Sequence, residues 1–115
     1  MNLEEVKESR LNELEKKYKP IIEAYNDTVE MVNSIEIREN DSIDIIICKL
    51  YILTNNVNVT LKLLSKSEYR INNRKVNSSD ISEILNSISK EETNQIKAFA
   101  KKQFLNNKKK SIKLC

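Results

Sequence analysis

No glycine occurs anywhere in the 115 residues, and the one proline is Pro20. Tight turns, β-bulges and phosphate-cradling loops draw on backbone angles that glycine adopts and other residues avoid. A chain without glycine is best served by helices joined through short polar links, so the expected fold is all-α, a small bundle of about four helices. The length suits one domain with a single core that needs neither metal nor disulfide.

The centre of that core is expected in Ile43–Leu64, the segment with apolar residues on most of its circumference. Ile43, Ile46, Leu50, Leu53, Val57 and Leu64 recur at steps of three and four, and Ile47 and Leu61 widen the row. A second row holds Ile45, Cys48, Ile52, Val59 and Leu63. A helix apolar on two sides is normally covered by neighbours, so one helix over 42–65 is expected at the centre. Alternation at Val57, Val59, Leu61 and Leu63, with Thr54–Asn56 as a turn, offers a rival strand reading. It accounts only for the ends of the segment, and the helical spacing runs through all of it.

Residues 3–36 predict a longer helix. Leu11, Leu14, Tyr18, Ile21, Tyr25, Thr28, Val32 and Ile35 keep a heptad, Glu4, Glu5 and Glu8 suit the positive end of the helix dipole, and Glu13–Lys17 and Glu15–Lys19 are supporting pairs. Pro20 predicts a kink near Lys16–Lys19 or a division into two helices. At 1.5 Å of rise this helix is about 51 Å long against about 33 Å for Ile43–Leu64. If the two pair antiparallel through the link Ile37–Ser42, the part before Leu14 overhangs. Folding back at Pro20, covering the C-terminal helix or pairing with a second copy would each bury Leu3, Val6 and Leu11; the last makes a homodimer through residues 3–18, with Leu3, Val6, Leu11, Leu14 and Tyr18 as the expected protein interface.

Farther on, Tyr69–Val76 reads as a short hairpin around Asn72-Asn73, residues that tolerate left-handed angles, or else as a polar loop. A helix over 79–88 is expected with Ser79 as its cap and Ile81, Ile84, Leu85 and Ile88 on one face. Ser89–Glu92 reads as a capping box opening a last helix over 90–107, which buries Ile96, Phe99, Ala100 and Phe104 and leaves Lys97, Lys101 and Lys102 outside. The domain is thus expected over 1–107, followed by a basic, frayed tail over 108–115.

Charge divides the chain. Residues 1–45 carry 12 acidic and 6 basic side chains, and residues 46–115 carry 5 acidic and 14 basic. Arg70, Arg74, Lys75, Lys97, Lys101 and Lys102 are the candidate contacts for a nucleic acid or another anionic partner. The short helix, capped turn and basic helix of 80–107 have the broad ingredients of a helix-turn-helix, although Asn86 stands where glycine is usual and the turn is long. Tyr69 is the one aromatic residue in the basic cluster, too few for a base-stacking platform.

Chemistry has little to work with. No histidine is present, and Cys48, one turn after Asp44, sits among isoleucines as inert thiols usually do. Neither a catalytic residue, a metal site nor a cofactor is expected. Lys, Asn and Ile supply 46 of the residues, a bias of AT-rich coding such as that of many phages and plasmids. Two cysteines without a disulfide pattern, an acidic amphipathic start and no uninterrupted apolar span point to a reducing cytoplasm and away from a membrane. The sequence therefore favours a non-enzymatic helical module that binds another protein, as a regulator or inhibitor does, with a basic nucleic-acid-binding regulator as the alternative.

Overall fold

The computed structural model describes residues 2–114, with side chains described as far as Lys109. Among these residues five helices and one two-stranded hairpin occur, so the protein is all-α in class: α1 (Leu3–Ser34), α2 (Ile43–Thr54), α3 (Val57–Ser65), β1 (Arg70–Ile71), β2 (Arg74–Lys75), α4 (Ser78–Ser87) and α5 (Gln95–Leu114). The chain divides into two units, residues 1–34 and residues 35–115.

The first unit is α1. The side chain of Asn2 accepts from the backbone N–H groups of Glu4 and Glu5 at 3.0 and 3.4 Å, which caps the helix. The helix then runs through Pro20 without the division that proline made plausible. Pro20 is exposed, so water can reach the carbonyl that its missing N–H leaves unmatched. Glu15–Lys19 forms as expected at 3.5 Å, while Glu13 pairs with Arg10 at 3.3 Å in place of Lys17.

In the second unit the predicted 42–65 helix is two helices. Asn55 adopts φ 54° and ends α2, and the Asn56 side chain accepts from the N–H of Val59 at 3.0 Å to start α3. Two consecutive asparagines can do this because one tolerates the left-handed region and the other is a strong N-cap. Thr54 and Thr60 join the two helices through their hydroxyls at 2.8 Å. The central position is as expected: Ile46, Ile47, Cys48, Tyr51 and Ile52 of α2 are buried, and α2 packs against α3, α4 and α5. Leu64, Val76, Ile81, Leu85, Ile88, Ala100 and Phe104 complete the core. Leu53, at the end of α2, and Val59 and Leu63, on α3, are expected in the two apolar rows but are exposed.

Polar groups close the ends of α2. Gln103 donates to the carbonyl of Tyr51 at 3.0 Å, and Asn107 donates to the Tyr51 hydroxyl and to the Asn55 side chain, both at 2.8 Å. The rings of Tyr51 and Phe104 meet edge to face with centroids 6.1 Å apart. Before α2, the buried Lys49 amino group donates to the Glu36 carbonyl and to Asp41, each at 2.6 Å, which pins the 35–42 loop to the helix.

The hairpin forms as read, with Arg70 opposite Lys75, Ile71 opposite Arg74, and Asn72 and Asn73 at φ 51° and 66°. Two boundaries move. Helix α4 starts at Ser78 and is capped by Asn77, not Ser79: Asn77 and Asp80 exchange side-chain and backbone bonds at 2.9 and 2.8 Å. The last helix starts at Gln95, not Lys90. Ser89 does accept from the Glu91 and Glu92 N–H groups, but this is one isolated turn, and Asn94 caps α5 through the Lys97 N–H at 3.1 Å. Lys90–Thr93 offers no apolar side chain to bury, so the helix waits for Ile96. Its backbone continues to Leu114, across most of the segment expected to fray.

Asn55→Val should therefore destabilise the second unit by about 1–2 kcal/mol, the cost of a left-handed β-branched residue, whereas Asn55→Gly should lose less. Urea denaturation followed by Tyr fluorescence measures both. Equal stability of Asn55→Val and the parent would show that residue 55 does not hold this conformation.

Candidate functional site

The apolar row of α1 is the largest exposed apolar feature of the first unit. Leu3, Val6, Leu11, Tyr18, Ile21, Ile22, Tyr25, Val29 and Val32 are exposed, Leu14 and Met31 are half-buried, and no α1 residue is buried. Leu11 is 64% exposed and Tyr25 is 68% exposed. The candidate interface is thus longer than Leu3–Tyr18 and extends to Val32. The sequence reading stops at Tyr18 because it takes the second half of the row as facing a single helix over Ile43–Leu64, and that segment is two helices.

Energetics make this exposure informative. The three ion pairs along α1 contribute roughly 0.2–0.5 kcal/mol each in an isolated helix. Pro20 within a helix costs about 3 kcal/mol relative to alanine, and Ile21, Ile22, Thr28, Val29 and Val32 add β-branched penalties. Local terms therefore contribute little to a 32-residue helix, whose apolar row is exposed.

The six candidate basic residues do not make one free surface. Lys101 is 7% exposed, and its amino group donates to the Leu85 and Asn86 carbonyls at 3.0 and 2.9 Å. It closes the C-terminus of α4 and does not face an anionic partner; burial, the largest cause, holds its pKa below the usual lysine value. Arg74 grips both oxygens of Asp80 at 2.7 Å, and Arg70 donates to the Ser67 and Tyr69 carbonyls. Lys97 is half-buried. Of the six, Lys75, on β2, and Lys102, on α5, are exposed with amino groups that make neither a hydrogen bond nor an ion pair among the described residues. The α4–α5 connection spans seven residues, Ile88–Asn94, where a helix-turn-helix uses three or four. The opening turn of α5 is half-buried from Ile96 to Phe99, so the end that would enter a DNA groove packs inward.

A cleft of about 370 Å³ lies between the 37–41 loop, the start of α2, and Tyr69 and Arg70. Two of its four charged side chains, Asp41 and Arg70, are engaged. Asp41 accepts from the Arg38 N–H at 2.9 Å and from Lys49, and these bonds hold its carboxyl below the usual range, the backbone bond most of all. Cys48 is fully buried, and desolvation pushes its thiol up to about 12, so it stays protonated and is a poor nucleophile near neutrality. Among the described residues no group of three metal-ligating side chains assembles, and no helix is long and apolar enough to cross a membrane.

No protein-family model matches the chain, and no curated protein or solved structure does so either.

The Arg74–Asp80 pair sets an acid dependence. The guanidinium bonds, then the Asn77 N–H, lower the Asp80 carboxyl from 3.8 to about 2. A lowered folded-state pKa adds stability above the unfolded value and loses it as protonation proceeds. Stability should fall between about pH 4 and about pH 2, and Arg74→Met should flatten that fall. Denaturation across this range, with an NMR titration of the Asp80 carboxyl, checks it; an Asp80 midpoint left at its ordinary value would contradict the pairing.

Proposed function

We propose that this protein works by binding another polypeptide and carries out no chemistry of its own, with α1 as the binding element. The observation that carries the reading is the unburied heptad row of α1, apolar from Leu11 to Val32 except at Thr28, on a helix to which local interactions contribute little. The chemistry of the second unit supports it. Its thiol is held protonated in the core, and four of its six candidate basic side chains are engaged in hydrogen bonds or half-buried. Helix-on-helix recognition reads anchors at steps of three and four, which is the spacing that Leu11, Leu14, Tyr18, Ile21 and Tyr25 offer. Binding without catalysis is also how a small regulator or inhibitor acts, by occupying a surface that another molecule needs.

Photo-crosslinking in cells that make the protein tests this reading. With p-benzoylphenylalanine at position 21, adducts to a polypeptide, of this or another sequence, are expected, and Tyr25→Glu should reduce them several-fold. The same group in place of Glu23, on the opposite side of the helix, should give few. Absence of polypeptide adducts at position 21, with recovery of complexes that are lost on nuclease treatment and weaken steeply with salt, would overturn the proposal in favour of nucleic-acid binding.

A further inference from the structure

The heptad of α1 also says what covers it. With Leu11, Tyr18, Tyr25 and Val32 at a and Leu14, Ile21 and Thr28 at d, the flanking e positions are Glu8, Glu15, Ile22 and Val29, and the g positions are Arg10, Lys17, Ala24 and Met31. Pro20 falls at c, away from the seam, so it does not obstruct a partner helix. Glu4 and Lys7 occupy the preceding a and d positions, so the seam begins at Leu11, and Leu3 and Val6 lie outside it at g and c. One edge of the first half is acidic and the other basic, and both edges of the second half are apolar.

We infer that the occupant of this row is α1 of a second copy, in a parallel, in-register coiled coil; the inference rests on the reading of α1 as the binding element. In a parallel pair each g residue meets the e residue five positions on in the other helix. Arg10 then meets Glu15 of the second copy, twice by symmetry, and Ala24 meets Val29. Lys17 lays its aliphatic stem along Ile22. No like charges face each other. An antiparallel pair over the same seam sets Lys17 against Met31, no worse than Ile22, but sets Glu15 against Val29 and so loses the Arg10–Glu15 pairs that the parallel arrangement makes twice. Arg10 and Glu15 are available for the exchange, because their present partners, Glu13 and Lys19, are exposed neighbours on the same helix. Exposed ion pairs add little affinity, so the apolar seam supplies binding and the charged edges select the orientation.

Light scattering coupled to size exclusion, on the full chain at tens of micromolar, should report a dimer. Arg10→Glu sets a second carboxylate against Glu15 of the other copy and should raise the dissociation constant about tenfold, while Arg10→Glu with Glu15→Arg should return it to within about threefold of the parent. Circular dichroism of each variant at high concentration separates lost pairing from lost folding. In a Cys115→Ser background, Thr28→Cys at a d position should oxidise to a covalent dimer, because parallel helices bring residue 28 beside its own copy, and Glu23→Cys at f should not. A monomer at these concentrations overturns the inference. So does a Thr28→Cys dimer that fails to form while Arg10→Glu leaves the mass unchanged. The binding reading fails separately: heterotypic polypeptide adducts at position 21 from a monomeric protein would keep that reading and reject self-pairing.

Discussion

Covering apolar helix faces is the constraint on which both units depend, and each meets it in its own way. Residues 35–115 solve it internally, by placing a twelve-residue helix, α2, among three others. Isoleucines at 46, 47 and 52, with Cys48 and Tyr51, then lose nearly all contact with water. Each fully buried aliphatic side chain of this kind is worth about 1.5–3 kcal/mol. Residues 1–34 contain one helix and so hold no second face to use.

Enclosing α2 makes its polar groups a problem, and the answers come from distant parts of the chain. Lys49 is buried yet reaches the Glu36 carbonyl and Asp41; the Tyr51 carbonyl and hydroxyl take donors from Gln103 and Asn107. Lys101 does the same for the end of α4. Among the described side chains no buried nitrogen or oxygen lacks a partner. An unmet buried polar group costs about 1–3 kcal/mol, so these bonds fix how the helices sit against one another in the second unit more than they add net stability.

Periodicity and turn chemistry carried the sequence reading far. The all-α class, the central place of Ile43–Thr54, the Asn72-Asn73 hairpin and the inert setting of Cys48 all follow from local residue patterns. Three features did not. Asn55-Asn56 reads as a polar spot on a helix unless its capping capacity is weighed against the apolar row on either side. Asn94 outcompetes Ser89 as a cap for α5 because the burial of Ala100 and Phe104 decides where that helix starts, which is a tertiary matter. Lys101 looks like its solvated neighbours, and only the position of the α4 carbonyls explains why it turns inward. On α1 the heptad and its extent were legible from residue spacing alone.

Function follows from the difference between the two units. The second unit buries most of α2 within itself, whereas under the proposed function the exposed heptad of α1 ties the stability of that helix to association. Hydrogen exchange of the α1 amides, read by mass spectrometry as the protein is diluted from about 100 µM to below about 1 µM, tests that link most directly, because association makes stability depend on concentration. Protection of residues 11–32 should fall with dilution while the amides of α2 and α5 keep theirs. Protection of α1 that is unchanged across the series would contradict the account.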